Sequence, residues 1–134
     1  MRPWGGTGNN GSQPWHAGGI LQQGKTEEIQ LAVGAFEPTL NVQLWKDYED
    51  EMEIYLESPS GEQIGPLYER LGPQRHLLEN TELLIYYGKP GPYQLSQEIY
   101  IDFIPEGNYV DSGVWIVLLS GKRVRSGQYF LWLP

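Results

Sequence analysis

Apolar and polar residues alternate in short runs along most of this chain, and the runs predict β-strands. Ile29, Leu31 and Val33 form the apolar side of the first run, and Leu40, Val42 and Leu44 alternate with Asn41 and Gln43 in the second. Met52, Ile54 and Leu56 alternate with Glu53 and Tyr55 in the third, which stops at Ser58-Pro59-Ser60-Gly61, a turn signal. Leu83 to Tyr87 form a further run that ends at Gly88-Lys89-Pro90-Gly91-Pro92. Ile99, Ile101 and Phe103 alternate with Tyr100 and Asp102 and stop at Pro105-Glu106-Gly107-Asn108. Val114, Ile116 and Leu118 face one way and Trp115 and Val117 the other, and Tyr129, Leu131 and Leu133 alternate with Phe130 and Trp132. A period of two places each set on one face of a strand. No window of helical length carries a 3.6-residue period with cap signals. Short strands separated by turn chemistry predict an all-β fold, an antiparallel β-sandwich or jelly roll.

The N-terminal stretch from Met1 to Gly24 departs from this pattern. It is rich in glycine, contains no acidic residue and shows neither period, which predicts irregular chain. The expected division is therefore an irregular lead over 1–24 and a sandwich over 25–134. Met1 to Gly11 has one arginine and no apolar stretch, unlike a signal peptide.

Composition narrows the functional classes. A chain of 134 residues fits one domain. With no cysteine it has no disulfide framework, thiolate metal site or thiol nucleophile. The net charge of −8 argues against nucleic acid as a partner, since phosphates need basic surface. No apolar run is long enough to span a membrane as a helix. The segment Glu27 to Glu57 holds nine acids and one base, Lys46, and so carries a net −8 by itself. Its densest part, Asp47 to Glu53, reads as a solvated turn. Calcium is the sharper alternative, but the run lacks the alternating Asp/Asn and Gly pattern of a calcium loop, and no metal is assigned.

Catalytic candidates are sparse. His16 and His76 have no partner legible in the sequence, the serines (Ser58, Ser60, Ser112, Ser120, Ser126) sit in turn-like settings, and no Gly-x-Ser-x-Gly elbow occurs. Thr7-Gly8-Asn9-Asn10-Gly11 lacks the lysine of a phosphate loop. Tyr86, Tyr87, Tyr93, Tyr100 and Tyr109 could stack on sugar rings if they shared an open face. The ordinary alternative is cross-strand packing. Lys122, Arg123 and Arg125 form a small basic patch that either balances the acidic stretch or meets an acidic neighbour.

Two parts of the sequence resemble subtilisin-like serine proteases. Gly6-Thr7-Gly8-Asn9-Asn10-Gly11 is similar to the segment that carries the oxyanion-hole asparagine of that family. By that resemblance Asn9 is the oxyanion donor of a parent enzyme, a contribution of about 3–4 kcal/mol to the barrier. Asn10 stands where the family usually has an acid. The second part is an ordered set: Leu40 to Trp45, Ile54 to Glu62, Glu82 to Gly88, Ile99 to Pro105 and Ser112 to Trp115. It resembles the jelly-roll domain inserted into clostridial subtilisin-like proteases of the Csp group, where the insertion follows the oxyanion segment and precedes the catalytic serine. Ser58-Pro59-Ser60-Gly61 and the later Gly113-Val114-Trp115 are also similar to the P-domain of proprotein convertases.

What this implies is a fragment of a subtilisin-like serine endopeptidase, its inserted jelly roll bracing the catalytic domain as intramolecular partner. No catalytic Asp or His region precedes Asn9 and no Gly-Thr-Ser segment follows Pro134, so the chain alone is expected to have no peptidase activity. No cofactor is implied, and the compartment is not indicated. The resemblance also predicts exposed apolar groups on one face, where the parent domain would pack. The alternative reading is an independent carbohydrate- or protein-binding sandwich.

Overall fold

The computed structural model describes residues 15–70, 72–88 and 96–133. Runs rich in β-branched and aromatic side chains, with the alternation noted above, become extended strands. In chain order these are β1 (Trp15–Ile20), β2 (Thr26–Val33), β3 (Leu40–Asp47), β4 (Glu51–Glu57), β5 (Gln63–Leu67), β6 (Gln74–Leu78), β7 (Thr81–Tyr87), β8 (Ser96–Pro105), β9 (Gly113–Arg123) and β10 (Gln128–Leu133). None of the described residues is helical.

The strands form two antiparallel sheets, ordered β1-β10-β3-β8-β7-β6 and β2-β9-β4-β5. Pairing is nested: β1 runs against β10, β2 against β9 and β3 against β8. With the β6–β7 hairpin set aside, the remaining eight strands in chain order are arranged 1-8-3-6 facing 2-7-4-5. That is the jelly-roll order, two Greek keys wound together. The β6–β7 hairpin widens one sheet beyond β8.

Register carries the alternation into a core. Leu40, Val42 and Leu44 lie opposite Phe103, Ile101 and Ile99, and all six side chains are buried. Ile29, Leu31, Ile54, Leu56, Val117 and Leu119 close the layer from the other sheet. The two layers meet at Phe103 and Trp115, whose rings pack edge to face with centroids 5.0 Å apart. Full burial of side chains of this size stabilises by about 1.5–3 kcal/mol each. The Trp115 indole N–H is not wasted in the core, because it donates to the Asp111 carbonyl at 2.9 Å.

Three strands escape the sequence pattern. Residues 15–20, expected to be irregular, form β1 and pair with the whole of β10. Glycine permits this: on Gly18 a Cβ would sit 3.1 Å from the Tyr129 carbonyl oxygen, and on Gly19 2.9 Å from the Tyr129 hydroxyl. The segments that become β5 and β6 also show no period. In β9, Trp115, Val117 and Leu119 point inward, while Val114 lies at the exposed start of the strand.

Candidate functional site

The acidic run is a folded turn tied to the opposite connection. β3 ends at Asp47, whose carboxylate accepts the Glu49 N–H at 2.9 Å, and the Asp50 N–H returns to the Asp47 carbonyl. Asp50 is itself buried and accepts three backbone N–H groups, from Arg125 (2.6 Å), Ser126 (3.2 Å) and Gly127 (2.7 Å). Burial alone would raise its pKa, but these amides and Lys46 hold the carboxyl below its ordinary range. Lys46 is buried beside it and donates to the Asp50 carbonyl at 2.6 Å and the Asp47 carbonyl at 3.2 Å. Desolvation lowers the pKa of this amine, against the opposing pull of Glu69 and the other carboxylates nearby.

The remaining acids of the run face the basic patch. Glu53 meets Lys122 at 3.5 Å, Glu51 meets Arg123 at 3.9 Å, and Glu49 hydrogen-bonds Arg125. The patch thus balances the acidic stretch within the fold. Exposed pairs of this kind contribute about 0.2–1 kcal/mol each. Among the described residues no group of three His, Asp or Glu side chains is placed to hold a metal.

The catalytic candidates are not gathered. Asn9, named for the oxyanion role, lies outside the described residues, as does Tyr93. His16 is exposed on β1 and stacks on Phe130, with centroids 5.4 Å apart. His76 lies on β6 opposite Leu83, at the far edge of the same sheet. Ser58 is buried and exchanges a hydrogen bond with Ser60 while its hydroxyl accepts the Glu62 N–H, so it serves the β4–β5 turn. The tyrosines also separate. Tyr87 is buried with its hydroxyl on the Leu67 carbonyl, and Tyr109 packs edge-on against Phe36 in a loop. Among the described tyrosines of this set, Tyr86 and Tyr100 are directly opposed across β7 and β8.

That pair belongs to a feature the tyrosine count missed. One cross-strand row on the outer face of the six-stranded sheet reads His16, Trp132, Gln43, Tyr100, Tyr86, and the next reads Gly18, Phe130, Trp45, Glu98. Directly opposed side chains in such rows lie about 4.5–5.5 Å apart at Cβ. Tyr86 is 46% exposed, Phe130 39% and Trp132 37%. Beyond them Ile20, at the end of edge strand β1, is 69% exposed. Trp45 and Phe130 wall a shallow depression of ≈ 340 Å³ with Asp47, Ser96 and Gln128 around it. The signal was present in the sequence: Phe130 and Trp132 occupy the solvent parity of β10, where polar residues are expected.

Such a surface is costly to leave in water, and its rings run in rows across one sheet, while Phe36, Tyr68, Tyr109 and Val114 are exposed singly or in loops elsewhere. No family model matches the sequence, and a search of curated proteins finds no match. Among solved structures, the fold is similar to part of the CspB protease of Clostridium perfringens, with a TM-score of 0.81 and 23% sequence identity. The chain has the fold of a segment of a clostridial protease. The likeness covers 89% of this chain and 25% of the protease chain, so this chain spans about a quarter of that protein's length.

Proposed function

We propose that this chain is the jelly-roll domain of a subtilisin-like serine endopeptidase and that it braces the catalytic domain through the outer face of its six-stranded sheet. The observation that carries the reading is the aromatic field of Trp45, Phe130, Trp132, Tyr86 and Tyr100 on that face. Flat rings on a rigid sheet supply contact area at little cost in side-chain entropy, which suits a permanent interface more than a solvated surface. Edge strand β1 borders the field, and the oxyanion-like segment with Asn9 precedes that strand in the chain. In this reading the catalytic chemistry belongs to the parent domain and the sandwich adds kinetic stability, because the enzyme opens only when the interface does.

The test uses a chain in which this sequence is joined to its neighbouring reading frame. A Gly-Thr-Ser segment downstream establishes the parentage, and its absence there rejects it. In the joined protein, Trp132→Ser with Phe130→Ser shortens the half-life of protease activity at elevated temperature. An unchanged half-life rejects the bracing role. The isolated chain is expected to leave casein and chromogenic peptides intact, and turnover by the pure chain would contradict the proposal.

A further inference from the structure

A second recess opens between the two sheets, at the end where β3 turns into β4, and it makes no use of the aromatic face. It has a volume of ≈ 480 Å³, within the range of ligand sites. Gln97 lies at its wall. This side chain is 1% exposed and faces inward, opposite Lys46 in the β3–β8 register. Its amide nitrogen donates to the Gly88 carbonyl at 3.3 Å, which fixes the amide's orientation. Its oxygen, Oε1, accepts nothing, and among the described residues it is the one buried side-chain polar atom without a partner. Buried acceptors are nearly always paired, so this one calls for a donor. Lys46 does not supply it, since its ammonium is directed to the carbonyls of Asp47 and Asp50.

The surroundings define what donor fits. Glu69 stands at the mouth and forms no ion pair among the described residues, although its field reaches Lys46 and Tyr87. Tyr48 and Tyr68 are exposed at the rim. An anion would meet Glu69, the lining acid left unmatched while Glu49, Glu51 and Glu53 pair with Arg125, Arg123 and Lys122 and Asp50 lies beside Lys46. An apolar group would leave the Gln97 oxygen unpaired. A cation with N–H donors and a flat face answers all three features: the amide oxygen, the carboxylate and the aromatic rings.

We propose that this cleft binds a guanidinium group, the arginine side chain of a polypeptide partner, with an N–H directed to Gln97 Oε1, its charge facing Glu69 and its plane against the rim tyrosines. The site is independent of the bracing interface.

An NMR titration of the intact ¹⁵N-labelled chain tests it. The probe is N-acetyl-arginine methylamide, with the citrulline analogue, uncharged and of nearly the same shape, as the comparison. Saturable shifts at the Gln97 side-chain amide and at the backbone of Tyr48, Glu69 and Tyr87 are expected, with the citrulline compound binding about tenfold more weakly. Glu69→Gln, an exposed change that leaves folding intact, should weaken arginine binding several-fold. Gln97→Met should abolish the saturable shifts in the cleft. Absence of saturable shifts, equal binding of citrulline, or shifts confined to the outer face around Trp45 and Trp132 would overturn the assignment. If Gln97→Met does not fold, the Glu69→Gln titration decides.

Discussion

The Asp50 carboxylate is the most consequential polar group in the fold, and its replacement tests how the acidic turn works. In Asp50→Ala the N–H groups of Arg125, Ser126 and Gly127 lose their acceptor. The Gly127 N–H is buried and loses about 1–3 kcal/mol, whereas the other two are partly exposed and regain water, at about 1 kcal/mol each. The total is about 3–5 kcal/mol, a large share of the roughly 5–15 kcal/mol that holds a domain together. Asp50→Asn keeps the shape and one acceptor oxygen but turns an NH₂ toward a donor, for about 2–3 kcal/mol. The pH dependence separates this mechanism from simple packing. Because the folded carboxyl is held below its ordinary value of 3.8, its contribution is complete above that pH and is lost as pH falls through the folded value. Urea unfolding of wild type and Asp50→Asn should therefore show a constant stability gap near neutral pH that narrows as pH falls below 3.8. A gap under about 0.5 kcal/mol near neutrality, or one that persists unchanged in acid, would refute the reasoning.

Three further outcomes follow from the same geometry. Gly127→Ala should be far more damaging than Gly24→Ala: both residues have positive φ (74° and 80°), worth about 1–2 kcal/mol, but only at Gly127 would the new Cβ lie 2.1 Å from a backbone oxygen, that of Leu21. Equal shifts in urea midpoint would contradict this. Tyr87 and Tyr129 are held protonated above the ordinary value of 10.0, first by burial and, for Tyr129, also by its bond to Glu27. Since the unfolded chain loses these protons first, stability should fall as pH rises above 10.0, and absorbance near the phenolate band should show both rings ionising only with unfolding. Trp132→Ser and Phe130→Ser in the isolated chain should cost less than about 1 kcal/mol, as expected for outward positions, so a large loss in thermal scans would place these rings in the core.

The sequence patterning made the interior legible and the margins obscure. β2, β3, β4, β8 and β10 each bury alternate side chains, the apolar ones that the period of two marked plus the polar Lys46 and Gln97. The apolar run of β7 also buries alternate positions, Thr81, Leu83, Ile85 and Tyr87. β1, β5 and β6 carry no such mark; each is an edge strand, where the mark is not required, although β2 at the remaining edge keeps it. An edge needs only backbone pairing on one side, so Gly18, Gly19 and Gly65 are tolerated there. At Gly65, with φ of 134°, a side chain would strike Tyr55, so glycine lets β5 follow β4 through the register shift near Ile54. What locks Asp47 to Asp50 was also out of reach, because its partners at 125–127 lie some 75 residues away in sequence.

The same parity rule locates function. In a two-layer sandwich, one parity of each strand is committed to the core, and substitutions there are limited by packing. The other parity is free of that constraint, so a large ring at such a position needs a reason of its own. Trp45 on β3, Tyr100 on β8 and Phe130 and Trp132 on β10 all occupy the free parity, on three adjacent strands of one sheet. The outer parity of β4 on the other sheet instead carries Glu51, Glu53, Tyr55 and Glu57. Core packing explains neither set, yet the first is aromatic and contiguous while the second is mostly charged. On that other face β9 adds Val114, Ile116 and Leu118, aliphatic but without rings. It is therefore the contiguous run of aromatic side chains that makes the six-stranded sheet, rather than its partner, the surface from which a bound neighbour should be sought.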